Sequence, residues 1–77
     1  MAVRIDSYDD FLGCVREESY SQDITQADLS RKLSVDESTV SHWYNGRREM
    51  RLDTAIAVLK TLGKQLVIED IGNNRKR

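Results

Sequence analysis

Apolar residues recur at intervals of three and four along most of this chain and then bunch into one short run near its end. Phe11, Leu12 and Val15 make the first stripe, while Asp9, Asp10, Arg16, Glu17 and Glu18 fill the other positions. That spacing predicts a helix from about Tyr8 to Tyr20 with one wet face. Ser7 stands before it, three residues from Asp10, which is the spacing of a capping box. Ala27, Leu29 and Leu33 make a second, shorter stripe, and Val40 with Trp43 a third. A fourth runs through Leu52, Ile56, Leu59 and Leu62, with Ala55 and Val58 beside it, until Gly63 provides a stop. The outer two helices are expected to close a core behind the two short ones.

The polar residues between the stripes say where the short helices begin and end. Thr25 can accept the orphan amide of Asp28, and Asp28 can reach back while placing negative charge at the positive helix end, so a helix should open at about Gln26. Within it Arg31 and Lys32 point away from the apolar side. Ser34, Val35 and Asp36 interrupt the period. Val35 is placed to plug the angle between two helices, and Asp36 is a capping residue for a second one starting at Glu37. Val40 and Trp43 share a face there, leaving Glu37, Ser38, Thr39, Ser41 and His42 on the others. Trp43 is thus read as core rather than as a stacking platform. Asn45-Gly46 ends the helix, because glycine accepts the left-handed conformation of a helix stop, and Arg47-Arg48 follow at once. Two short helices joined by a tight turn suit a helix-turn-helix that reads DNA.

The stretch from Lys64 to Ile71 breaks the helical period. It is rich in branched aliphatics and follows a helix stop, which predicts one β-strand. A lone strand needs a partner, and Val3-Arg4-Ile5 of the same chain and the same stretch of a second copy are the two candidates. Residues 72–77, Gly-Asn-Asn-Arg-Lys-Arg, contain nothing apolar and read as a flexible basic tail. The fold class expected is therefore all-α, a compact four-helix domain over residues 1–71 with a short C-terminal strand.

Residues 25–63 resemble the Cro and phage-repressor type of helix-turn-helix regulator, also called Xre-like. In that family the first helix of the motif opens with Thr-Gln or Ser-Gln, here Thr25-Gln26, and the second ends in Asn-Gly and a basic residue, here Asn45-Gly46-Arg47. The apolar frame of Leu29, Leu33, Val35, Val40 and Trp43 also agrees. Two positions depart from it: Ser30 stands where alanine is common, and Ser34 stands in the turn where glycine is common, so that turn should be slightly strained or differently shaped. The fold implied is lambda-repressor-like. A strand in place of a further helix is similar to the antitoxin branch of the family, whose members repress their own operon and pair that strand across a two-fold axis.

The resemblance implies that the second helix of the motif enters the major groove of double-stranded DNA. Glu37, Ser38, Ser41 and His42 are then the candidates for reading bases, with Thr39 near bases or phosphate. Gln26, Asn45, Arg47 and Arg48 would hold the sugar-phosphate backbone, and Arg51 is an additional candidate. Two roles are open to Glu37: it can accept from the exocyclic amine of cytosine, or it can serve the helix dipole. Family members bind as dimers with recognition helices about 34 Å apart, so a homodimeric repressor or autoregulator on an inverted repeat is expected. The competing class is a protein-interaction module, such as an antitoxin that acts by binding a partner protein such as a toxin.

Charge and composition bound these readings. A net charge of −1 speaks against a nucleic-acid partner until its distribution is followed. Residues 1–30 carry two basic and seven acidic side chains, giving −5, whereas residues 31–51 carry five basic and three acidic, giving +2, and residues 52–77 again give +2. The acid lies away from the motif, and a locally positive face remains to attract phosphate. At 77 residues the chain is one domain of modest core, a reason for dimerisation to help. Cys14 has no disulfide partner, and its place beside Val15 favours a buried apolar role. No apolar run approaches the roughly 20 residues that cross a bilayer, and Asp6, Asp9 and Asp10 stand where a signal peptide would be apolar, so a cytoplasmic protein is expected. One histidine, one cysteine and four scattered glycines assemble no nucleophile and base, metal cluster or phosphate loop. No enzymatic activity, cofactor or metal is expected.

Overall fold

The structure, a computed structural model, describes residues 3–71. Four helices follow one another: α1 (Tyr8–Ser21), α2 (Gln26–Leu33), α3 (Glu37–Tyr44) and α4 (Leu52–Thr61). Their starts follow the polar signals closely. Thr25 Oγ1 accepts the amide of Asp28 at 3.0 Å while the Asp28 carboxylate accepts that of Thr25 at 2.9 Å, a complete capping box. Ser7 accepts the amide of Asp10 at 3.1 Å, but the Asp10 carboxylate accepts the amide of Asp6, at 3.0 Å, rather than that of Ser7. Asp36 occupies the capping position of α3 without a side-chain bond, leaving its carboxylate in solvent.

All four helices stop in the same way. The residue after each last turn is left-handed, at Asp23 (φ 62°), Ser34 (φ 57°), Gly46 (φ 80°) and Gly63 (φ 74°), and the next amide bonds back to a carbonyl five residues earlier. Ile24 reaches Ser19, Val35 reaches Ser30, Arg47 reaches His42 and Lys64 reaches Leu59, at 2.8 to 3.0 Å. The turn between α2 and α3 is therefore strained as the sequence implied, because serine carries the Cβ that glycine lacks.

Packing brings α3 against both α2 and α1, and α4 against α2. Phe11, Val15, Leu29, Val40, Trp43, Ala55, Val58, Leu59 and Leu62 form one buried cluster, with Ile24, Leu33 and Val35 half-buried around it. The α4 stripe differs from the expected one. Leu52 is 66% exposed, since the first residue of the helix lies beyond the core, and Ile56 is only half-buried. Cys14 is half-buried too, because it lies beside the terminal segments rather than in the cluster.

Residues 64–71 form no strand. They run beside Val3, Arg4 and Ile5 along one open cleft, but among the described residues no backbone bond joins the two segments. The branched aliphatics satisfy the side-chain preference of a strand, but a strand exists only when its backbone groups are paired. Leu66, Val67, Ile68 and Ile71 are left exposed, Ile68 completely. The basic tail at 72–77 lies outside the described residues.

Candidate nucleic-acid interface

Helix α3 is two turns long and held from one side only. Val40 is wholly buried and Trp43 nearly so, while Glu37 and Ser38 are exposed and Thr39, Ser41 and His42 half-buried. Its polar side chains therefore line a flank that the core covers only in part. The segment that follows, residues 45–49, is exposed throughout and carries Asn45, Arg47 and Arg48. Among the described residues neither guanidinium belongs to an ion pair. The Asn45 side-chain oxygen accepts the Arg47 amide at 3.3 Å, so its NH2 group is the part left for a ligand. Arg51 is exposed at the capping position of α4.

Gln26 is the first residue of α2 and half-buried. It shares a shallow hollow of about 310 Å³ with Thr25, Arg16, Ser19, Tyr20 and Tyr44, which places it near the C-terminal end of α3. The capping box beside it also shapes the local charge. Backbone and side-chain hydrogen bonds from Thr25 hold the Asp28 carboxyl below the ordinary carboxylate range, with Arg31 adding to the effect.

Residues 15–68 match the helix-turn-helix family model of the Cro/C1 type. The chain belongs to that family. No curated protein and no solved structure gave a significant match. As a Cro/C1-type helix-turn-helix protein it is a DNA-binding transcription regulator. The two departures from the Cro/C1 frame have local explanations. Ser30 is half-buried and returns its hydroxyl to the Ala27 carbonyl at 2.8 Å, so it fits where alanine is common. Ser34 keeps the left-handed backbone that glycine would adopt freely. No helix among the described residues is long and apolar enough to cross a membrane.

Four polar side chains behind this Cro/C1 motif were not singled out by sequence. The Arg16 guanidinium donates to the Tyr44 carbonyl at 2.5 Å, and the buried Ser19 hydroxyl, which donates to Val15, shares a 2.7 Å hydrogen bond with the Tyr44 hydroxyl. Tyr8 Oη accepts the Met50 amide at 3.0 Å and directs its own proton toward the Arg48 carbonyl at 3.5 Å. These pairs are 25 to 42 residues apart in sequence, and no local pattern announces them. The one available signal is the presence of hydroxyls and a cation, Tyr8, Arg16 and Ser19, on a helix otherwise acidic on its wet side.

Proposed function

We propose that this protein is a sequence-specific repressor or autoregulator that inserts α3 into the major groove. The observation that carries the reading is the polar flank of α3, which the core leaves at least partly open, backed by Val40 and Trp43 and followed directly by Arg47 and Arg48, neither in an ion pair among the described residues. In this reading Glu37, Ser38, Ser41 and His42 meet base edges and Thr39 lies at the groove wall. Gln26, Asn45, Arg47 and Arg48 hold phosphate oxygens on either side. Two short helices reach few base pairs, so discrimination calls for two copies on an inverted repeat. The exposed aliphatics of residues 64–71 are apolar surface that a second copy would cover.

An anisotropy titration with duplex from the region flanking the gene tests this. Binding should be tighter than to scrambled duplex and weaken with salt, and Arg47→Ala and Arg48→Ala should each lower the slope of log K against log salt by about 0.9. Equal affinity for scrambled duplex would refute sequence-specific reading. The same aliphatic segment supports a second reading, that of an antitoxin covering it with a partner protein. Partner binding that survives Arg47→Ala with Arg48→Ala, in a chain without selective DNA binding, would favour that alternative.

A further inference from the structure

We propose that α1, which lies outside the two-helix motif, sets the position of the loop carrying Asn45, Arg47 and Arg48, with Tyr8 and Arg16 as its positioning residues; the proposal rests on the DNA-binding reading above. The loop is exposed from residue 45 to 49. Its own ties are to the end of α3, where the Arg47 and Arg48 amides both reach the His42 carbonyl, at 2.9 and 3.3 Å, and the bond of the Arg47 amide to the Asn45 side-chain oxygen. From outside it is gripped at both ends by one helix. Arg16 holds the Tyr44 carbonyl at its start, and Tyr8 holds the Met50 amide and faces the Arg48 carbonyl at its finish. Ser19 adds a hold on the Tyr44 side chain.

A segment fixed at two points and free between them samples far less space than one fixed at a single point, so ordering on DNA costs less. Tyr8 and Arg16 sit about two turns apart on α1, so a rigid helix sets the span across which the two arginines are presented. These residues touch no DNA in this scheme and act through the loop.

Tyr8→Phe removes the hydroxyl and keeps the ring that stands 6.0 Å from the Phe11 ring, so the core is left in place. Loss of one such bond should lower affinity for specific duplex by about three- to tenfold. The decisive readout is a double-mutant cycle. In the Tyr8→Phe background, Arg47→Ala should cost less than it does in the wild type, whereas Ser38→Ala should cost the same. Additive losses for both pairs would reduce Tyr8 to a general structural role and overturn the proposal. Amide exchange in the free protein supplies a reading independent of DNA: protection at Met50 and Arg48 should fall in Tyr8→Phe while that of α2 and α3 holds. Unchanged protection at Met50 and Arg48 overturns the proposal however DNA binding turns out. A wild type that binds no duplex but loses this protection in the variant would refute the DNA reading and leave the grip standing.

Discussion

Replacing Ser34 with glycine should stabilise the domain, and the size of the gain follows from the turn. Ser34 sits at φ 57° and ψ 45°, where a Cβ crowds the following carbonyl at a cost of about 1–2 kcal/mol. The residue is exposed, and its hydroxyl makes no hydrogen bond among the described residues, so glycine gives up no packing. Against this stands the wider freedom of glycine in the unfolded chain, about 0.5–1 kcal/mol. Taken at the middle of each range, the balance favours the variant by about 0.75 kcal/mol, which in a domain of this length raises the melting midpoint by about 3–6 °C. Thermal melts followed by far-ultraviolet circular dichroism measure it. Ser34→Ala, which keeps the Cβ and loses only the hydroxyl, is the control and should melt close to the wild type. A glycine variant melting at or below the wild type would refute the assignment of strain to this turn, and with it the account of how α2 and α3 are joined.

Leu29 is wholly buried at the contact of α2 with the rest of the core, so Leu29→Ala should cost about 2–5 kcal/mol, comparable with the whole stability of a domain this small. Chemical denaturation should show little or no folded baseline; a midpoint close to that of the wild type would contradict the packing. The Asp28 carboxyl titrates below its ordinary range in the folded chain, so its stabilisation is fully present above the unfolded value and is lost as pH falls through the folded one. Asp28→Asn should accordingly be less stable than the wild type near neutrality and converge with it in acid, as acid and neutral melts will show. Val67→Asp combined with Ile68→Asp puts charge into the proposed contact between copies. Light scattering should then report a monomer, and a dimer that persists would move the interface elsewhere.

Much of the helical frame could be read from residue order because its causes are local. Thr25 with Asp28 marks the start of α2, and Asn45-Gly46 and Gly63 mark two ends, each through atoms fewer than six residues apart. The inward residues of α3 followed from spacing alone. What spacing could not reveal is of two kinds. The contacts of Tyr8, Arg16 and Ser19 with residues 44–50 depend on how α1 lies across α3, a tertiary fact with no periodic trace. The stretch from Lys64 to Ile71 is the opposite case, where composition favours a strand but pairing decides, and among the described residues of one chain the backbone bonds do not form. The candidate contacts from Gln26 to Arg48 could be named in advance. How the segment after α3 is held in place could not.

Eight residues are too few for a helix to persist alone in water, where about 12–15 are already marginal. Cut out as a peptide, the sequence Glu37–Tyr44 would be mostly coil, its four proposed base-reading side chains scattered. It keeps its shape only while Val40 and Trp43 are seated, so the capacity to read a duplex has no existence apart from the cooperative unit that seats them. Anything that loosens that unit, whether heat, a protease or a competing protein prying at α4, would silence the proposed recognition without touching any of the side chains assigned to bases.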